Sequence, residues 1–146
     1  MKIALGSDHA GFELKTSVKA YLESLGHQVE DYGTFSPESV DYSDFGIAVG
    51  EAVASGRCER GVVCCGSGIG ISIACNKVRG IRCALCLDTE MAELSRRHND
   101  ANVLAMGGRL TDFEEGRNII DVWLSTPFEG GRHQRRIDKI SAYETR

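Results

Sequence analysis

Residues 65–70 read Cys-Gly-Ser-Gly-Ile-Gly, a thiol directly followed by a turn with glycine at every second position. Apolar Val62, Val63, Cys64 and Cys65 lead into the turn, and an apolar, helix-compatible run at 71–75 leaves it. A short apolar run bounded by glycine reads as a buried strand, so the local order is strand, turn, helix. Glycines let backbone come close to a ligand. The unpaired amides of a helix's first turn, with the helix dipole, favour an anion there. Cys65, at the last strand position, faces the same place. A helix N-terminus and nearby cations can convert such a thiol into a nucleophile or a general base. Its neighbour Cys64 points to the other face of the strand and reads as an inert core thiol.

The turn is G-x-G-x-G, not the G-x-G-x-x-G of dinucleotide binders, and no clean ribose-binding acid follows. A smaller anion, a phosphate or an enediolate oxygen, suits it better. Further polar residues follow other expected elements: Ser7, Asp8 and His9 after the first strand, His98, Asn99 and Asp100 after the helix that follows the fourth, and Gly107, Gly108 and Arg109 after the fifth. Tyr42 is expected in a polar loop. Each has a plainer use. Asp8 could cap a helix; His98-Asn99-Asp100 could be a helix C-terminus, with Asn in the left-handed conformation. Arg132 and Arg136, i and i+4 on one helix face, suit a phosphate through bidentate hydrogen bonds or else form a solvated face. Cys83-x-x-Cys86 lies within an apolar strand-like run, not at a strand-to-helix junction, which speaks against a redox pair. No spacing suggests a metal site.

These residues need a scaffold. Strands are expected at residues 2–6, 27–32, 61–65, 80–87 and 102–106, and helices at 11–25, 45–54, 71–75, 89–97, 112–125 and 131–141. Asp88 is the expected N-cap of the fourth helix, and Thr111 with Glu114 reads as a capping box for the fifth. Strands alternating with helices imply βαβ units, hence an α/β, three-layer Rossmann-like fold with a five-stranded parallel sheet, whose ligands bind beyond the carboxyl ends of the strands. At 146 residues the chain is expected to be one domain, 1–146. Seventeen Lys and Arg against 21 Asp and Glu leave a net charge of −4, with no general call for nucleic acid. No apolar run nears the roughly 18 residues of a membrane span. Of six cysteines, Cys64, Cys65, Cys75, Cys83 and Cys86 sit in apolar surroundings, and with no signal-like N-terminus this points to a cytoplasmic protein without disulfides.

The motifs DHAG at 8–11, CGSGIG at 65–70, NK at 76–77, HN at 98–99 and GGR at 107–109 resemble, in order and over essentially the whole chain, type B ribose-5-phosphate isomerase. The related galactose-6-phosphate isomerase subunits share that fold. The resemblance implies a cofactor-independent aldose–ketose isomerase, with no metal, acting on a sugar phosphate. It also implies a homodimer, in some members a tetramer, with pockets shared between subunits, and the helix at 131–141 is expected to pack on the partner. Carried over, Cys65 matches the general base, Ser67 a hydroxyl that assists transfer at the sugar oxygens, and His98 the acid that opens the furanose ring. The amides of Gly66, Ser67, Gly68, Ile69 and Gly70 match an anion hole. Asp8, His9, Asn99, Arg109, Arg132 and Arg136 match substrate contacts, and Tyr42 a pocket wall.

Two departures from the family pattern are present. Ser67 stands where many members have threonine. Ile71 stands where another branch carries a glutamate base, so the cysteine branch is the one implied. Two alternatives stay open: isomerisation of galactose 6-phosphate or allose 6-phosphate, and a non-catalytic sugar-phosphate sensor.

Overall fold

Strands β1 (Lys2–Ser7), β2 (Gln28–Asp31), β3 (Arg60–Cys65), β4 (Cys83–Leu85) and β5 (Val103–Gly107) form one sheet in the order β2-β1-β3-β5-β4. Every neighbouring pair is parallel. Helices α1 (Phe12–Ser24), α2 (Tyr42–Ala54), α3 (Ile69–Asn76), α4 (Thr89–Arg97) and α5 (Phe113–Ser125) return the chain between strands or follow the last one, and α6 (Arg132–Glu144) closes it. The architecture is that of a computed structural model, which describes residues 1–145. It is the α/β fold with a five-stranded parallel sheet that the alternation of elements implies.

Two apolar layers sandwich the sheet. Ile3, Leu5, Val62, Cys64 and Leu104 pack on one face, against Leu14 and Val18 of α1, Ala92 of α4 and Trp123 of α5. Ala4, Val63, Cys65 and Ala105 pack on the other, against Val49 and Val53 of α2 and Ile71 and Cys75 of α3. Successive residues of one strand serve opposite layers, as the two-residue pleat requires. With both faces covered, the strands carry continuous apolar runs in place of alternation.

Several expected boundaries move, each for a local reason. β4 is three residues long, not 80–87. Before it, the Asn102 side chain accepts from Arg82 N–H at 2.8 Å and donates to Gly80 O at 2.9 Å, taking the place of a ladder. Asn76 pairs with both backbone groups of Cys83, at 2.8 and 2.9 Å, and so fixes this edge strand to the end of α3. α2 starts at Tyr42, so Tyr42 is a helix residue and not a loop residue. The cap of α5 is displaced by one position: Asp112, not Thr111, accepts from the amide three residues on, that of Glu115, at 2.8 Å. Thr111 is buried one residue earlier, its N–H donating to Gly107 O. Asp88 caps α4 as expected, accepting from Met91 N–H. After α4 the left-handed residue is Asp100 (φ 46°), not Asn99.

The order β2-β1-β3-β5-β4 sets a switch point between β1 and β3. From β1 the chain steps outward to β2; from β3 it moves to the other side of the sheet. The crevice above such a point is where open parallel sheets bind ligands. One buried cation braces this region. Lys15 Nζ, with 2% of its side chain exposed, donates to both Asp31 oxygens at 2.8 and 2.9 Å and to Thr34 O at 2.6 Å. A buried charge is tolerated when it is paired and its protons are all used. Lys15→Ala is expected to lower unfolding free energy by about 3 kcal/mol, because it leaves the Asp31 carboxylate without its close cation and the Thr34 carbonyl without its Lys15 donor. Urea denaturation checks this; a loss under about 1 kcal/mol would show that Lys19 or water takes over the role.

Candidate active site

β3 ends at Cys65 and the chain turns sharply into α3. Gly68, the residue before the helix, has φ +81°. A Cβ there would lie 2.5 Å from Leu85 Cδ1 and 2.9 Å from the Met106 carbonyl carbon. Both the conformation and the space require glycine. This turn aims the Gly68 N–H at Cys65 Sγ, 3.1 Å away, while Ile69 N–H donates to Ser67 Oγ at 3.2 Å. Gly70 lies in the first turn of α3, where amides have no partner within the helix. Its missing side chain is filled by the Tyr42 ring, since a Cβ on Gly70 would stand 2.7 Å from Tyr42 Cε1.

A cavity of about 390 Å³ opens over this turn. Its floor is Cys65, Gly66, Ser67 and Gly70; Asp8 and His9 from the end of β1, Tyr42 from α2, and Arg109 from the end of β5 form its walls. Asp8 is buried and does two things: its Oδ1 accepts from Gly11 N–H at 3.0 Å, and it borders the cavity. His9 Nδ1 accepts from Val40 N–H at 3.1 Å, which leaves Nε2 as the nitrogen that carries the proton on the neutral ring. The Arg109 guanidinium lies over Gly66, close enough that a Cβ there would sit 3.1 Å from Nη1. The site therefore combines a sulfur, a hydroxyl, a carboxylate, an imidazole N–H and a guanidinium around backbone amides. Ala10, within the DHAG motif, and Leu110, just after GGR, also line it; as apolar side chains they carried no chemical signal in the sequence. Gly68 and Ile69 serve the turn from behind, their amides held by Cys65 and Ser67.

Four expected site residues lie elsewhere. α4 starts after β4 and runs back beside the sheet for nine residues, about 13 Å at ~1.5 Å per residue. His98 and Asn99, at its end, are thus at the edge where strands begin, opposite the cavity. Arg132 and Arg136 lie exposed on α6, near that same edge: His133 of α6 stacks on His98 with ring centroids 4.3 Å apart. Expecting His98 beside the strand ends treats a helix C-terminus as a strand C-terminus, and in a parallel sheet these are opposite edges. Glu129 and His133, which join His98 there, were not singled out in the sequence, though their i, i+4 spacing was available.

A family model described as Ribose/Galactose Isomerase matches residues 3–140. This chain belongs to the ribose/galactose isomerase family. It is an isomerase, and its similarities are to type B ribose-5-phosphate isomerases. Ribose-5-phosphate isomerase B of Escherichia coli is 48% identical over 145 residues, covering 99% of this chain and 97% of that protein. A solved ribose-5-phosphate isomerase B of Clostridium thermocellum superposes with a TM-score of 0.98 at 52% identity, over 99% of this chain and 98% of that one. The Thermotoga maritima structure gives 0.95 at 54%, with 97% of each chain covered. Among the described residues, no helix of the isomerase is long and apolar enough to cross a membrane.

The isomerase's thiols differ in environment. Cys64 is wholly buried, which pushes it up to about 12. Burial, then the neighbouring Glu30 carboxylate, raises Cys58 to about 11, and burial raises Cys86 to about 11. Cys83 is raised by its hydrogen bond with Cys75 and by burial. Cys65 alone of the six borders the cavity. Brief iodoacetamide treatment at pH 7.5 is therefore expected to label Cys65 first, while Cys64, buried and held in the thiol form, stays unmodified. Peptide mass spectrometry reads this, and labelling of Cys64 at a rate comparable with Cys65 would contradict it.

Proposed function

We propose that the isomerase interconverts ribose 5-phosphate and ribulose 5-phosphate through an enediolate, with Cys65 as the base. The observation that carries this is the sulfur of Cys65 at the floor of the cavity, with a main-chain amide aimed at it and the first turn of α3 beside it. In the open-chain aldose, the thiolate removes the proton on C2. The electron pair moves toward C1, and O1 becomes negative. The amides of Gly66, Ser67 and Gly70, which line the cavity, offset that charge; donors of this kind act mainly on charge that exists only along the reaction path. Ser67 Oγ passes a proton between O2 and O1, and Cys65 returns its proton to C1, giving the ketose. Asp8 holds a sugar hydroxyl, while His9 and Arg109 hold polar groups of the substrate and Tyr42 closes the side.

Ring opening requires an acid, and no second imidazole besides His9 borders this cavity among the described residues. We infer a homodimer in which the partner's His98 and Asn99 reach the sugar and the partner's Arg132 and Arg136 the phosphate. Three features support this: these residues lie at the wrong edge of their own sheet, the arginines are exposed and close together in sequence, and α3 exposes Ile69 and Ile73 at 53% and 55% beside the cavity mouth. Apolar side chains paired in this way on a surface helix favour a protein contact. α6, with Ile140 half exposed, is a second candidate for that contact. The ribose-5-phosphate isomerases among the relatives favour the pentose phosphate over a hexose phosphate, and a catalyst over a sensor. A reducing, cytoplasmic setting goes with six free cysteines.

Cys65→Ala is expected to lower kcat by about 10²–10⁴-fold, with substrate still bound in calorimetry. His98→Asn should fail in the same assay. Mixed and reassembled one to one, the two inactive variants should recover about a quarter of wild-type activity, since half of the dimers are hybrids and each hybrid has one intact site. No recovery in mixtures that exchange subunits would mean the site is not shared. Arg132→Ala with Arg136→Ala should raise KM for ribose 5-phosphate about a hundredfold or more, as two guanidinium–phosphate contacts are lost. An unchanged KM would make these arginines a solvated face.

A further inference from the structure

His98 is held by groups that have no part in the proposed chemistry. Its ring stacks on His133 at 4.3 Å between centroids and 12° between planes. His133 is 5% exposed, and its Nε2 has no hydrogen-bond partner. Glu129, four residues earlier in the segment before α6, faces both rings: its Oε1 is 3.9 Å from His98 Nε2 and its Oε2 is 3.7 Å from His133 Nε2. Arg97 of α4 anchors that carboxylate, with Nε 2.6 Å from Oε1, and Glu129 N–H donates to Arg97 O at 3.0 Å. Two imidazoles and a carboxylate with ligand atoms within 4.8 Å of one another match a divalent metal by donor count. The geometry does not: a ring nitrogen binds metal in its own plane, and stacked rings have no common plane. Arg97, Arg132 and Arg136 also surround the group with positive charge, which disfavours a cation.

We propose that Glu129 and His133 are positioning residues for His98: the buried His133 ring is the platform on which the His98 ring lies, and the Glu129 carboxylate orients its Nε2. The proposal rests on His98 being the ring-opening acid. An acid must present its proton at a defined angle, and a half-exposed imidazole at a helix end would otherwise rotate freely. Stacking on a fixed ring restricts it to one plane. The carboxylate then selects the rotation that brings Nε2 toward it. The charges also divide the labour. Burial, His98, Arg132 and Arg136 lower the proton affinity of His133, with only Glu129 opposing. The buried ring is therefore held toward its neutral form, and among the described residues Glu129 is the carboxylate within 4 Å of His98.

The test combines NMR titration of the His98 and His133 rings with kcat and KM across pH, in the wild-type dimer and in Glu129→Gln, His133→Ala and His133→Phe. Glu129→Gln is expected to lower the pH midpoint of His98 by about half a pH unit or more, because the imidazolium loses its facing negative charge. The acidic limb of kcat should move with it, while KM stays within about twofold. His133→Ala should lower kcat about tenfold, a fraction of what a positioned acid contributes, and His133→Phe, which keeps a flat ring at the site, should recover most of that loss. An unmoved His98 midpoint in Glu129→Gln, or equal kcat in His133→Ala and wild type, overturns the proposal. So does a His133→Phe protein that folds, judged by circular dichroism, but is no better than His133→Ala. His98→Asn separates the two levels: full activity there defeats the acid assignment itself, whereas the NMR titrations report the positioning directly.

Discussion

Two main-chain hydrogen bonds beyond the strand ends hold the cavity together. Asp8 N–H donates to Cys64 O at 3.3 Å, and Gly108 N–H donates to Cys65 O at 2.7 Å. They continue the β1–β3 and β3–β5 ladders into the loops. A third, from Arg109 N–H to Gly66 O at 3.0 Å, ties the loop after β5 to the glycine turn. With them, the carboxylate after β1, the sulfur of β3 and the guanidinium after β5 share one backbone framework. Parallel pairing makes this possible, because only in a parallel sheet do neighbouring strands end at the same edge. Catalytic groups on such rigid supports need little reorganisation as charge develops.

The same pleat that builds the sheet sorts its thiols. Cys64 and Cys65 are adjacent, yet one packs with Leu104 and Met106 and the other with Val63 and Ile71 at the edge of the cavity. Burial makes the first unreactive. The second is nearly as enclosed, at 4% exposure, but an amide points at its sulfur and open space lies beside it. Accessibility alone does not separate them; the direction of Cβ and the neighbouring N–H do.

Legibility varied with the range of the interaction. Asp88 as a cap was readable, since the bond is to an amide three residues away. The α5 cap was misread by one residue, because Thr111 and Asp112 are both capable and the choice fell to the turn after β5, which buries Thr111. The length of β4 was unreadable, since an Asn102 side chain twenty residues on replaces part of its ladder. Asp100 adopting the left-handed position depends on Arg96 and Arg82, whose guanidinium groups bond its carboxylate and carbonyl.

The sequence by itself determined the alternation of strands and helices, the glycine turn with its thiol, the two sides of β3 and the family, because these depend on neighbours in the chain and on residue types. It did not determine which polar residues meet. Asp8, His9, Tyr42, Cys65 and Arg109 converge and His98, Asn99, Arg132 and Arg136 do not, although all were equally visible as motifs. That division was decided by strand order and by the direction of α4, which carries His98 to the opposite edge of the sheet. A helix in a βαβ unit must run back the length of the strand it follows, and only the folded chain shows which end a given residue has reached.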